Sequence, residues 1–159
     1  MEKYILSGTR EEVFTSFFLP QLILGFIPNF NSNVYLIKVV LITMAYIIWI
    51  FVLGRALNTC VPKRFKLSET FQQIFLFVFV LIFVPIQMLS DLTVRFYGCG
   101  VFIPVLMVFS AIYLFYFASK ALTSAENGSR TSFGDHLTEM FLLLFVWVGI
   151  WFIQPRINK

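Results

Sequence analysis

The residues of this chain best suited to chemistry are Asp135, His136 and Glu139, gathered at the start of its last apolar stretch. A histidine and carboxylates on adjacent helical turns can converge on a metal ion or relay a proton. His136 is the only histidine, which excludes a multi-histidine metal centre and a bis-histidine haem. The same residues also suit a helix beginning: acids favour the positive end of the helix dipole, and an imidazole is at home among lipid headgroups. That second reading is the one favoured. Glu139 stands out because the residues after it, Met140 to Ile153, are apolar. A carboxylate at the edge of such a stretch needs a cation, and Lys120 on the preceding helix is the expected partner. Lys38 is the other costly charge, about one turn inside the first long apolar run, with a stem long enough to snorkel to the headgroups.

Beyond these groups the sequence offers no catalytic signature. It holds no glycine-rich phosphate loop, no serine nucleophile elbow and no paired carboxylates central to a span. Cys60 and Cys99 are too few for a disulfide framework or a cysteine-based metal site. No cofactor is called for, and an enzyme is not expected. Asn127-Gly128-Ser129 matches a glycosylation sequon, which matters only in a lumenal loop.

The elements that must position these residues are long and greasy. Tyr35 to Gly54 is a run of twenty residues with Lys38 as its one charge. At ~1.5 Å per residue, a helix of that length covers the ~30 Å hydrocarbon core of a bilayer. Similar runs follow at Phe71–Leu89, Gly98–Ser119 and Leu137–Ile153. Hydrophobic residues make up 59% of the chain and charged residues 13%, with a mean hydropathy of +0.86. Soluble domains lie near ~45–50% and ~25%. The fold class expected is therefore all-α: a polytopic transmembrane helical bundle of four long spans, forming one domain over residues 1–159. Val13–Ile27 adds a short apolar segment, interrupted by Pro20 and ended by Pro28, that reads as a fifth crossing, a re-entrant arm or an interfacial helix. Its flanks lack the pattern of a cleaved signal peptide.

Local signals refine the picture. Asn29 to Asn33 makes a polar turn before the first long span, and Arg55 closes that span. The loop from Arg55 to Glu69 is the most basic in the chain, with Pro62 breaking the helix and Ser68 placed to cap the next. Pro85 is expected to kink the second span. Asp91 and Arg95 are spaced to pair across one turn, and Gly98-Cys99-Gly100 opens the third span. Ala111, Ala118, Ala121 and Ala125 share one stripe, so that helix runs on to Glu126, where Asn127-Gly128 stops it. Ser132-Phe133-Gly134-Asp135 reads as a capping-box variant. The last helix then runs from about Phe133 to Ile153, with Trp147 and Trp151 on one face.

The net charge of +4 sits in short loops beside the spans, where it sets topology and meets anionic lipid; no nucleic-acid partner is expected. Five crossings with the N-terminus inside place eight of the twelve Lys and Arg on the inner side. Four crossings divide them evenly. The positive-inside rule thus favours a cytoplasmic N-terminus and an external C-terminus. The run Gly149-Ile150-Trp151-Phe152-Ile153-Gln154-Pro155-Arg156-Ile157-Asn158 resembles the ending of a group of small, uncharacterised bacterial integral membrane proteins. Ala118-Ser119-Lys120, Glu126 and Phe133-Gly134-Asp135 are similar to that group as well. The resemblance covers roughly the last forty residues and implies a bacterial inner membrane, with no activity to carry over. Three functions are weighed: a non-catalytic subunit or partner-binding component of a membrane complex, a small transporter or channel acting as an oligomer, and an enzyme of lipid headgroups built on Asp135, His136 and Glu139. The first is the expectation, with the lipid bilayer and a protein partner or second copy as its surroundings.

Overall fold

A computed structural model describes residues 12, 15–16, 19–26, 28, 31–88, 102–129, 134–145 and 152–153. Their regular structure is all helical, and three helices are long and apolar enough to cross a membrane. The Asp91–Arg95 spacing, Gly98-Cys99-Gly100, Ser132-Phe133, Trp147, Trp151 and all but Phe152 and Ile153 of the C-terminal run lie outside the described residues.

A short helix comes first. α1 spans Leu19–Phe26, eight residues. Pro20 falls in its first turn, where the missing N–H has no intrahelical acceptor to lose. Its eight described residues rise ~12 Å. α2 spans Ser32–Cys60, and Asn31 caps it: its side-chain oxygen accepts from the Val34 N–H at 2.8 Å. The helix does not stop at Gly54. It carries Arg55 within it and runs on to Cys60, because the backbone constraint comes later, at Pro62. Val61 is extended (φ −70°, ψ 134°), as a residue before proline must be.

A 3-10 turn over Lys63–Phe65 leads into α3, Glu69–Met88. α3 continues through Pro85. α4, Phe102–Asn127, has Pro104 in its first turn and ends where expected. Gly128 takes the left-handed conformation (φ 59°), and its N–H donates to the Ser124 carbonyl at 3.1 Å. That is the single-bond C-terminal cap that glycine permits.

The fourth apolar stretch departs from expectation. Gly134–His136 is a 3-10 turn, and α5 covers only Leu137–Leu144. Phe145 leaves helical geometry (φ −96°, ψ 62°), while its N–H still bonds the Phe141 carbonyl at 3.1 Å. The carbonyls freed there find a partner on α2. The Tyr46 hydroxyl donates to the Leu143 carbonyl and lies 3.3 Å from that of Leu144. Apolarity alone predicts one unbroken helix to Ile153; among the described residues the stretch is interrupted instead.

α4 is the centre of the bundle and packs on α2, α3 and α5. Leu114, Ala118, Ala121 and Leu122 are buried on α4 against Ile50 and Leu53 of α2. The alanine stripe thus works as a packing surface, since small residues let backbones approach. The closest approach is at Gly54. A Cβ there would lie 2.7 Å from Gln72 Nε2 on α3, 3.0 Å from Phe117 Cδ1 and 3.5 Å from Ala118 Cα on α4. Three helices therefore meet on one hydrogen atom's worth of space.

Candidate functional site

The polar residues gather where α4 ends, beside the 3-10 turn into α5 and the loop between α2 and α3. His136 is only 1% exposed and Glu139 7%. Both are buried among protein side chains rather than wetted, while His136 keeps its place at the start of α5. Asp135, next to it, is exposed. The His136 ring meets the edge of Tyr116 on α4, with centroids 5.1 Å apart and planes at 69°. Lys120 donates from Nζ to the Tyr116 hydroxyl at 2.9 Å, and its ammonium lies 5.2 Å from the ring centroid.

The expected Lys120–Glu139 ion pair is not formed. Tyr116 sits four residues before Lys120, one turn away on the same helix face, and captures the ammonium without any reach across to α5. Tyr116 therefore joins Lys120 to His136. It was not singled out in the sequence, although the four-residue spacing from Lys120 was a usable signal. Aromatic contacts continue from it: Tyr113 lies 6.1 Å from Tyr116 and stacks on Phe75 of α3 at 4.1 Å.

Lys120 also faces a cavity of about 510 Å³ between the α2–α3 loop and α4, lined by Arg64, Phe65, Lys66, Leu67, Lys120 and Ser124. The loop on its far wall is pinned by Asn58, which is fully buried on α2. The Asn58 amide donates from Nδ2 to the Leu67 carbonyl at 3.0 Å and accepts from the Leu67 N–H at 2.9 Å. Its Nδ2 also reaches Glu69 Oε1 at 3.2 Å. Glu69 in turn lies 3.7 Å from Arg55 and 3.6 Å from Lys66. A buried amide paired with both the N–H and the carbonyl of one residue is a strong local restraint, because leaving either bond unmade is costly. Nothing in the sequence distinguished Asn58 from an ordinary loop residue.

Lys38 belongs to a different place. It lies 22 residues before Cys60 on α2, so ~33 Å from the cavity end of that helix. It is 8% exposed, and its Nζ lies 3.5 Å from the Gly25 carbonyl near the end of α1. A cation at a helix C-terminus is electrostatically favoured there. Of the five polar residues expected to matter, Lys120 and His136 are joined through Tyr116, Asp135 and Glu139 flank His136 in sequence, and Lys38 stands apart. No cluster of three or more His, Cys, Asp or Glu able to hold a metal ion occurs among the described residues.

Comparison with protein-family models, with curated proteins and with solved structures finds no match to this chain. The class that the fold defines is a helical bundle with three helices of membrane-spanning length and apolarity. Its polar groups collect at the end where α2 leaves and α4 stops.

Proposed function

We propose that this chain is a non-catalytic integral membrane protein acting as a small subunit or partner-binding component of a membrane complex. The observation that carries this reading is where the polar side chains of the long helices point. Gln72 donates to the Phe51 carbonyl at 2.9 Å, and Tyr46 to that of Leu143. Ser110 and Thr123 bond carbonyls one turn back on their own helix, at 2.7 and 2.8 Å. The first two tie one helix to another and the last two are satisfied within their own helix, so none of the four is spent on lining a path. The outward faces carry Phe77, Leu81, Val105, Phe109 and Ile112, all more than half exposed or nearly so, as a surface meeting lipid or another membrane protein would. In this reading the last apolar stretch completes a fourth crossing and residues 13–27 form a fifth or a re-entrant arm. The distribution of Lys and Arg favours a cytoplasmic N-terminus and an external C-terminus, and the C-terminal resemblance favours a bacterial inner membrane.

The test is to tag the chain at its native locus, solubilise it gently and identify what co-purifies. A stoichiometric protein partner supports the subunit reading. A pure homo-oligomer that conducts or carries a solute in liposomes refutes it. One observation favours that second reading, a small transporter or channel: α5 is interrupted beside α2, and interrupted helices are how many transporter sites are built.

A further inference from the structure

We propose that the cavity between the α2–α3 loop and the end of α4 binds a phosphate group, carried by an anionic lipid headgroup or by a soluble phosphate compound. The proposal holds whether or not a protein partner exists. Three cations reach the cavity wall from two elements far apart in sequence: Arg64 and Lys66 from the loop, Lys120 from α4. The nearby carboxylate, Glu69, is held by Asn58 and lies beside Arg55 and Lys66, so it offsets Lys66. Arg64 and Lys120 pair with no carboxylate among the described residues. An excess of positive charge therefore faces a space of about 510 Å³, well within the ~300–1,000 Å³ of small-molecule sites.

The wall is also held ready. Asn58 fixes the loop through both the N–H and the carbonyl of Leu67. The Tyr116 hydroxyl fixes the Lys120 ammonium. The Arg64 guanidinium lies 5.6 Å from the Phe65 ring centroid. A guanidinium fork matches phosphate oxygens two at a time, and an ammonium adds a point charge to the third. Cations fixed before the ligand arrives lose little freedom on binding it. The position suits a headgroup: a bilayer core takes ~20 helical residues, and α2 has 29. Its last turns, with the loop they carry, therefore stand at the level where lipid phosphates lie.

The experiment uses the full chain in phosphatidylcholine nanodiscs. Two probes are added separately, phosphatidylglycerol and inorganic phosphate, and binding is read by native mass spectrometry and by the shift in melting temperature. Arg64→Gln and Lys120→Gln are each expected to weaken binding about fivefold, and together by more than about tenfold. Arg64→Lys should fall between wild type and Arg64→Gln. Lys63→Gln is the control: it removes the same charge from the next residue, which is exposed and off the cavity wall. It should change binding less than about twofold. Melting in phosphatidylcholine alone, with circular dichroism, reports whether each variant is folded. Retention of phosphatidylglycerol that inorganic phosphate does not displace assigns a lipid headgroup. Stabilisation by inorganic phosphate without anionic lipid assigns a soluble ligand. The proposal is overturned if the folded wild type binds neither probe, or if Lys63→Gln loses as much as Arg64→Gln.

Discussion

Gly54→Ala is the smallest perturbation with a large expected consequence. In an isolated helix it would be favourable by about 1 kcal/mol, since alanine is the better helix former. Here the added methyl would lie 2.7 Å from Gln72 Nε2 and 3.0 Å from Phe117 Cδ1. Gln72 is fully buried and donates to the Phe51 carbonyl at 2.9 Å, so it cannot swing aside and keep that bond. Losing a hydrogen bond between membrane helices costs roughly 0.6–1.7 kcal/mol. Forcing a methyl into a filled interface costs about 1–3 kcal/mol. After the propensity gain, the net loss should be about 0.5–4 kcal/mol.

Gln72→Ala removes the group that the methyl strikes first. In that background Gly54→Ala meets only Phe117 and the α4 backbone, so its penalty should shrink by about 1 kcal/mol, a coupling typical of side chains in contact. Equilibrium unfolding by SDS in mixed micelles, followed by circular dichroism, measures all four corners of the cycle. If Gly54→Ala is neutral or stabilising, or if the two substitutions add, then α2, α3 and α4 do not meet at Gly54 as described.

Tyr46→Phe deletes the hydroxyl that holds the freed carbonyls at the end of α5; it should cost about 1 kcal/mol in the same assay, and no loss would mean those carbonyls are satisfied another way. Asn58→Ala breaks both bonds to the Leu67 backbone, which are worth about 1–3 kcal/mol together, and should expose Lys63, Arg64 and Lys66 to faster trypsin cleavage in nanodiscs; unchanged cleavage rates would show the loop is held elsewhere. Lys120→Met and Glu139→Gln should have additive effects on stability, whereas Lys120→Met and Tyr116→Phe should be coupled by about 0.5–1 kcal/mol; the opposite pattern would restore the ion pair.

What could be read in the sequence was what depends on length and local chemistry. The apolar runs behind α2, α3 and α4 are long enough that hardly any other structure could satisfy their backbone groups in a membrane. Gly128 ends α4 because its conformation is a property of one residue. The extension of α2 beyond Gly54 was hidden, because Arg55 and Asn58 look like loop residues until a buried amide is given a peptide to hold. The break at Phe145 was hidden for a different reason. A run of apolar residues reports where a segment sits, not whether its hydrogen bonds continue, and the hydroxyl that accommodates the break is on Tyr46, 97 residues away. The same limit applies to Lys120: its position opposite α5 was legible, but a tyrosine one turn away on the same helix outcompetes a carboxylate across the gap.

These failures share a cause that bears on function. Each involved a polar side chain whose partner is a backbone carbonyl or an aromatic hydroxyl, not an opposite charge. Gln72, Tyr46 and Asn58 each donate to a backbone carbonyl of another element, and so hold the bundle. Arg64 and Lys120 are the exceptions: Arg64 only overlies its neighbour's ring, and Lys120 donates to a tyrosine that leaves its charge uncancelled. These two side chains bring uncancelled positive charge to the wall of one cavity. If the proposed phosphate site is right, removing the Arg64 charge should change what the protein binds while leaving its melting temperature in neutral lipid nearly unchanged, whereas removing Gln72 or Asn58 should do the reverse. If Arg64→Gln lowers stability as much as Asn58→Ala does, this separation of roles fails.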